Sequence, residues 1–276
     1  QTCALPILTG FLTKQRCNYA TVCVDQFSGL GHVHLQKTAS VEETLLGKKA
    51  FERHCQTRGV AVRHYHADNG IFKANGWVVD CHTKGQGLTF AAVNAHHTNG
   101  KAERRIRELQ EMARTALVHA NRRWPQAITA NLWPYAVRHA NDCINAAPNM
   151  QDPQRRSPEQ IFTGTSVDTN IKHWKPFGAP VHVHEPGMRS KWKVRAKIGI
   201  CLGRSPIHNR EVALVLDRGT GYVSPQFHVK VDSGFYTLKQ ETLSSNWQRA
   251  TGFILPGQAK DKQLPKKRKL DLSKNS

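Results

Sequence analysis

Between Tyr19 and Asp68 the chain changes its hydrophobic period twice, and that succession admits few folds. Tyr19 to Val24 is a run of β-branched and apolar residues, Ser28-Gly29-Leu30-Gly31 has turn chemistry, and His32 to Gln36 alternates; together they read as a β-hairpin. Ser40 and Glu43 are spaced so that hydroxyl and carboxylate can satisfy each other's orphan backbone N–H groups. Helix formers continue to His54, so a helix is expected over residues 41 to 57. Gly59 ends it, and Val60 to Tyr65 reads as a short buried strand running into Ala67-Asp68-Asn69-Gly70. Strand, helix, strand is the pattern of a parallel crossover, so the expected core is α/β, a mixed sheet flanked by helices.

Further along, a loop and short helix are expected over 71 to 86 and a strand from Leu88 to Val93. A strong helix follows from Gly100 to His119, its stripe of Ala102, Ile106, Leu109, Ala113, Ala116 and Ala120 spaced by three and four. Trp124-Pro125 is expected to open another helix, carrying Ile128, Leu132, Tyr135, His139 and Cys143 and bent at Pro134. Asn149 to Ser157, rich in Pro, Gln and Arg, reads as linker, and beyond Trp174 short β-like pieces separated by turns suit a small β-barrel. The expected division is a core over 18 to 150, a linker over 151 to 171, a barrel over 172 to 235 and a disordered basic tail over 236 to 276. Residues 1 to 17 are expected to be truncated or foreign, with no structure assigned: no secretory leader is read there, and Cys3-Ala4-Leu5-Pro6-Ile7 resembles translated adapter sequence.

Charge narrows the partner. Forty Lys and Arg against twenty Asp and Glu give a net charge of +20, spread along the whole length, which points to a polyanion. Nucleic acid is favoured over anionic membrane, because no stretch approaches the ~20 apolar residues of a spanning helix. The seven cysteines are scattered, without a Cys-x-x-Cys pair, and are expected to be reduced thiols rather than zinc ligands. His32/His34 and His182/His184 have strand spacing without carboxylates nearby and suit surface or nucleic-acid contact.

Two acids carry the chemistry. Asp68 stands just past a predicted strand, where open α/β sheets place functional groups, and Gly70 lets the backbone turn away. Glu103 stands in the first turn of the long helix, where the helix dipole favours a carboxylate. Singly, each has an ordinary use: Asp-Asn-Gly is a common turn, and Glu103 could pair with Arg107 for ~0.3 to 0.5 kcal/mol. Together, with thirty-four residues between them, they are a strand-end Asp and a helix-start Glu able to offer hard oxygen ligands to one Mg²⁺ (or Mn²⁺). Two carboxylates ~4 Å apart repel by about 4 kcal/mol at an effective dielectric of 20, which a divalent cation relieves. Such metals can activate an attacking hydroxyl and stabilise a leaving oxygen in phosphoryl transfer.

His64-Tyr65-His66-Ala67-Asp68-Asn69-Gly70 with Val93-Asn94-Ala95-His96-His97-Thr98-Asn99-Gly100-Lys101-Ala102-Glu103-Arg104 resembles the catalytic core of copia-type retrotransposon integrases, relatives of the retroviral enzymes. Trp174 to Val181, Ile198 to Gly203 and Val223 to Val229 resemble the small β-barrel segment that follows that core, so the likeness runs over roughly residues 12 to 232. It implies a ribonuclease-H-like fold, an Asp, Asp, Glu metal triad, and joining of element DNA ends to target DNA by a homo-oligomer, with no small-molecule substrate. In that family a Val-Asp-x-x-Ser segment like Val24-Asp25-Gln26-Phe27-Ser28 forms the second strand and its turn, and the first catalytic Asp lies on a preceding strand. No Asp occurs among residues 1 to 24, so the resemblance implies that this chain lacks the first acid; Asp25 is then a turn residue, with metal ligation as the alternative.

Asn99, Lys101, Arg104, Arg105 and Arg107 cluster at the start of the long helix and are expected to meet DNA phosphates. Lys191, Trp192 and Lys193 interleave cations with an aromatic, a second DNA-contacting pattern, although Trp192 equally suits a barrel core. His64, His66, His96 and His97 flank the two acids. Pro265-Lys266-Lys267-Arg268-Lys269 is similar to a nuclear-import signal. Two other readings stay open: a nuclease or transposase of the same fold, and a DNA-binding relic without chemistry.

Overall fold

The structure, a computed structural model, describes residues 2–10, 13, 16–91, 100–165, 174–184, 196–209 and 211–238. Its first sheet is built around the segment to which the sequence assigned no structure. Thr2–Leu5 (β1) and Ile7–Thr9 (β2) pair antiparallel with one side of Tyr19–Asp25 (β3), as one strand interrupted at Pro6. Gly31–Gln36 (β4) pairs antiparallel with the other side of β3, and His64–Ala67 (β5) runs parallel to β1. Gly87–Phe90 (β6) runs parallel to β5 and closes the far edge. Pro6 is tolerated because the ladder uses only its carbonyl, which accepts from Val22 N–H at 3.0 Å, and because β5 ends level with Leu5.

Helices cover both faces. Val41–Gln56 (α1) starts at Ser40, whose hydroxyl accepts from Glu43 N–H at 3.3 Å; the Glu43 carboxylate turns instead to Lys37 N–H, so only half of the expected capping box forms. Asn75–Thr83 (α2) follows a 3₁₀ turn at Ile71–Lys73. Phe51 and Cys55 of α1 and Trp77 and Cys81 of α2 pack on Cys3, Leu5, Cys23, Tyr65 and Ala67, alternate residues of three neighbouring strands. The other parity, Ala4, Val22 and Val24, is also buried. It faces Gly100–Arg123 (α3), packed on β1 and β3, and Trp133–Ala146 (α4), packed on β4.

Inside the α1 layer lies a wholly buried lysine. Lys48 Nζ donates to Glu52, Asp80 and Gln86 at 2.7, 2.6 and 2.6 Å and sits 5.0 Å from the centre of the Tyr65 ring. Burial alone would raise the carboxyl pKa values of Glu52 and Asp80, but hydrogen bonds from Lys48 and Lys84 more than offset it and hold both below their ordinary values.

Several boundaries differ from expectation. The strand expected at Val60 to Tyr65 lies at His64–Ala67: Val60 N–H is taken by Cys55 O in the turn that ends α1, and Gly59 adopts φ +71° there. The helix expected from Trp124 begins at Trp133, with Pro134 in its first turn, where a missing N–H costs nothing; Pro134 starts the helix rather than bending it. The segment expected as linker contains Pro158–Thr163 (α5), opened by a full capping box between Ser157 and Gln160 and anchored by Phe162 in the α1-side core.

A second sheet follows, antiparallel throughout, in the order β10-β9-β8-β7-β11: Pro180–His184 (β7), Ala196–Arg204 (β8), Ala213–Asp217 (β9), Val223–Gln226 (β10) and Val229–Val231 (β11). Among the described residues β10 and β11 do not pair, so the element present is a five-stranded sheet. Both sheets belong to one unit, Gln1–Ser233. Trp124 Nε1 donates to Gly178 O at 2.8 Å, and Gly178, at φ +80°, lies so close to Ala120 that a Cβ would come within 2.6 Å of it. Of the second unit, Gly234–Ser276, only Gly234 to Leu238 are described. No described helix is long and apolar enough to cross a membrane, and all seven cysteines are free.

Candidate functional site

The end of β5 is fastened from three sides. Leu5 and Ala67 are partners in the parallel ladder, as are Ala67 and Phe90. Asn69, the next residue but one, donates its side-chain amide to Ala91 O and ties the strand end to β6. His64 Nε2 and His66 Nδ1 both meet the hydroxyl of Thr89, at 2.8 and 2.9 Å. Asp68 emerges from this frame exposed, its Oδ1 accepting from Asn69 N–H at 2.7 Å. The two-residue alternation, continued one step past the strand, puts Asp68 on the face of His64 and His66, opposite the α1-side core of Tyr65 and Ala67.

Helix α3 covers that same face. Its first turn is pinned where Ala102 is buried, Lys101 Nζ donates to Gln26 O, and the Arg105 guanidinium donates to Gly29 O beneath the β3–β4 turn. Glu103 lies between these anchors, exposed, one turn into the positive end of the helix dipole. Asp68 and Glu103 therefore belong to one face of the sheet. The segment joining β6 to α3, including His96, His97 and Asn99, lies outside the described residues.

Asp25 does not join them. It is wholly buried, and its Oδ2 accepts from both Ser28 N–H and Ser28 Oγ at 2.7 Å, closing the hairpin turn. It pairs with Cys3, three residues before the level of Asp68, on the second strand over. That is ~10 Å along the strands and ~10 Å across them. It also shares the face of Cys3 and Tyr65, so its role is that of a turn residue.

Arg105 is likewise turned inward: only 7% exposed and committed to Gly29, it is a structural cation rather than a phosphate contact. Burial lowers its pKa, and that of Lys101 too. Arg104 and Arg107 are exposed, as phosphate contacts require. Lys191, Trp192 and Lys193 lie outside the described residues, as does the run 265–269. Asn69 and Thr89, which position the strand end, were missed as site residues: Asn69 reads as turn chemistry, and nothing local marks a threonine that holds two histidines from a neighbouring strand.

Hard carboxylate oxygens suit Mg²⁺ or Mn²⁺. Yet no group of three or more His, Cys, Asp or Glu side chains is assembled for a metal among the described residues. The strand beside Asp68 presents Leu5, Pro6 and Ile7 at that level. Asp68 and Glu103 are two carboxylates that this face could offer such an ion.

No protein-family model matches the chain. Among solved structures it is similar to the catalytic core domain of the HTLV-2 integrase in complex with magnesium, at 20% identity over 59% of this chain and 95% of that one, TM-score 0.44. It is also similar to a simian T-cell lymphotropic virus intasome in complex with the PP2A regulatory subunit B56 gamma, at 18% identity over 84% and 78%, TM-score 0.45. A third likeness is to the catalytic core domain of BIV integrase, at 18% identity over 59% and 93%, TM-score 0.43.

Proposed function

We propose that this chain is a fragment of a copia-type retrotransposon polyprotein, the ribonuclease-H-like core of an integrase whose parent joins element DNA ends to target DNA. The observation that carries the reading is the placement of its two acids: Asp68 at the carboxyl end of a strand parallel to the central one, and Glu103 in the first turn of the helix covering the same face. The motif resemblance around both residues, the charge of +20 and the exposed Arg104 and Arg107 support it. In this reading the second sheet is the barrel that follows such a core, the partners are DNA and further copies of the chain, and the basic run 265–269 directs it to the nucleus.

We infer further that the chain lacks the first carboxylate of the triad. The slot beside Asp68 on the central strand is filled by buried Pro6. Lacking one ligand, a carboxylate site loses geometry and charge neutralisation together, so the chain as it stands is inactive. Mg²⁺ or Mn²⁺, once bound by a complete set, would supply charge stabilisation at the reacting phosphate; Asp68 and Glu103 would hold it, and Arg104 and Arg107 would position the DNA backbone.

The test is joining of a labelled DNA end to a plasmid with Mn²⁺ present. The chain itself is expected to give none, and Pro6→Asp is expected to restore measurable joining that Asp68→Asn and Glu103→Gln each remove. Joining by the unaltered chain, or undiminished joining in either acid variant, contradicts the assignment. If no variant joins DNA while duplex binding persists, the relic reading, which the apolar central strand favours, replaces this one.

A further inference from the structure

A cleft of about 380 Å³ opens between the start of β4, the end of α1, α4, α5 and the turn after β8. Three arginines line it. Arg58 reaches Glu159 at 3.8 Å, and Arg204 reaches Asp142 at 3.3 Å while lying 5.2 Å from the Trp174 ring centre. Arg138, on α4, makes no hydrogen bond and no ion pair among the described residues, although it is half-buried. The Asp142 charge, one turn along the helix, acts on Arg138. Guanidinium carries five N–H donors in a planar fork and keeps its charge, so one at the wall of a cleft with its donors uncommitted is placed to take an anion.

The local charge agrees. Three guanidinium groups face two carboxylates, leaving one positive charge in excess. Burial and then the neighbouring His54, His34, Arg138 and Arg58 push His32 down to about 3, and burial with Arg58 pushes His54 down to about 4. Both histidines, with rings 5.0 Å apart, are neutral at pH 7 and add no charge to that of the arginines.

We propose that this cleft binds a phosphate group, with Arg138 as its principal contact and Arg58 and Arg204 flanking it. The Arg138 fork matches a phosphate's oxygens in geometry, and Arg58 and Arg204 add positive charge on either side. A phosphodiester's single charge equals the local excess, and the volume leaves room for the group that bears the phosphate. The source is either a nucleic-acid backbone or a free phosphorylated small molecule. The proposal does not depend on the chemistry assigned to Asp68 and Glu103.

The test needs no variant: phenylglyoxal modification of Arg138 in the full chain, followed by mass spectrometry, with exposed Arg114 as reference. Inorganic phosphate, chloride at equal ionic strength and a short DNA duplex are compared. A ligand at about ten times its dissociation constant should slow modification of Arg138 about tenfold and leave the reference unchanged in phosphate. Protection by phosphate identifies a small-molecule source, and protection by the duplex alone identifies the backbone. Equal Arg138 rates in all three overturn the proposal. Arg138→Gln, if folded by circular dichroism, should also lose the saturable rise in Tm that phosphate gives the parent chain, and an undiminished rise contradicts the assignment of Arg138.

Discussion

The molecule holds two sets of acids, and they are treated in opposite ways. Glu52 and Asp80 surround Lys48, a cation of the chain itself, buried to 0% and hydrogen-bonded to both at 2.7 Å or less. Asp68 and Glu103 stand exposed on the other face, one at a strand end and one at a helix start. In the first set every charge is answered internally, which fixes α1 against α2. In the second the chain has arranged rigid backbone around carboxylates left open to solvent. Acids that serve the fold bring their own cation; Asp68 and Glu103, in the proposed reading, are the acids set out for chemistry.

The largest expected effect tests the first set. Lys48→Met should leave Glu52 and Asp80 with Lys84 as their remaining cation and cost about 3 kcal/mol, read as a fall in the urea midpoint. A loss below ~1 kcal/mol would mean that the buried cation is dispensable and the contrast overstated.

Next comes acid. His32 and His54 have folded pKa values of about 3 and about 4, below the ordinary 6.5, so the folded state takes up their protons later than the unfolded chain. Their stabilising contribution is complete above pH 6.5 and is lost as the pH falls from there toward 4, on the order of 2 kcal/mol for each at pH 5. Tm measured from pH 7 to 4.5 should fall over this window, and less steeply in His54→Gln; an unchanged slope in that variant would remove the histidine from the account.

Arg105→Met should cost about 1 to 3 kcal/mol by leaving the Gly29 carbonyl unanswered under the hairpin. The same change at Arg104 should fall within ~0.5 kcal/mol yet weaken DNA binding and reduce its salt dependence. Smallest of all should be Asp68→Asn, expected to leave stability within ~0.5 kcal/mol, because its side chain accepts only from the neighbouring Asn69 N–H among the described residues. A strong stabilisation or loss there would make Asp68 a structural acid like Asp80.

How far the sequence could be read follows from how local each signal is. The β3–β4 hairpin, α1 and α3 carry their own periods and were placed closely. The central strand was not, because Pro6 splits a short apolar run, and its status comes from partners that begin at Tyr19 and His64. Strand β5 begins four residues later than expected for the same reason: Val60 is as apolar as a strand requires, but its N–H belongs to the turn after α1. Helix α5 was legible in principle, since Ser157-Pro158-Glu159-Gln160 spells a capping box, yet the surrounding Pro and Arg outweighed it. At the site, the strand-end and helix-start positions of Asp68 and Glu103 were readable, as was Asp25 as a turn residue. The inward turn of Arg105 was not, because only the fold brings Gly29 beneath it.

The central claim is that Asp68 and Glu103 face a common cation, and manganese-induced broadening of backbone amide signals tests it most directly. Signals from residues 66 to 70 and 100 to 105 should broaden together over one range of added Mn²⁺, and either Asp68→Asn or Glu103→Gln should spare both segments. Broadening of one segment that survives loss of the other's carboxylate would contradict it.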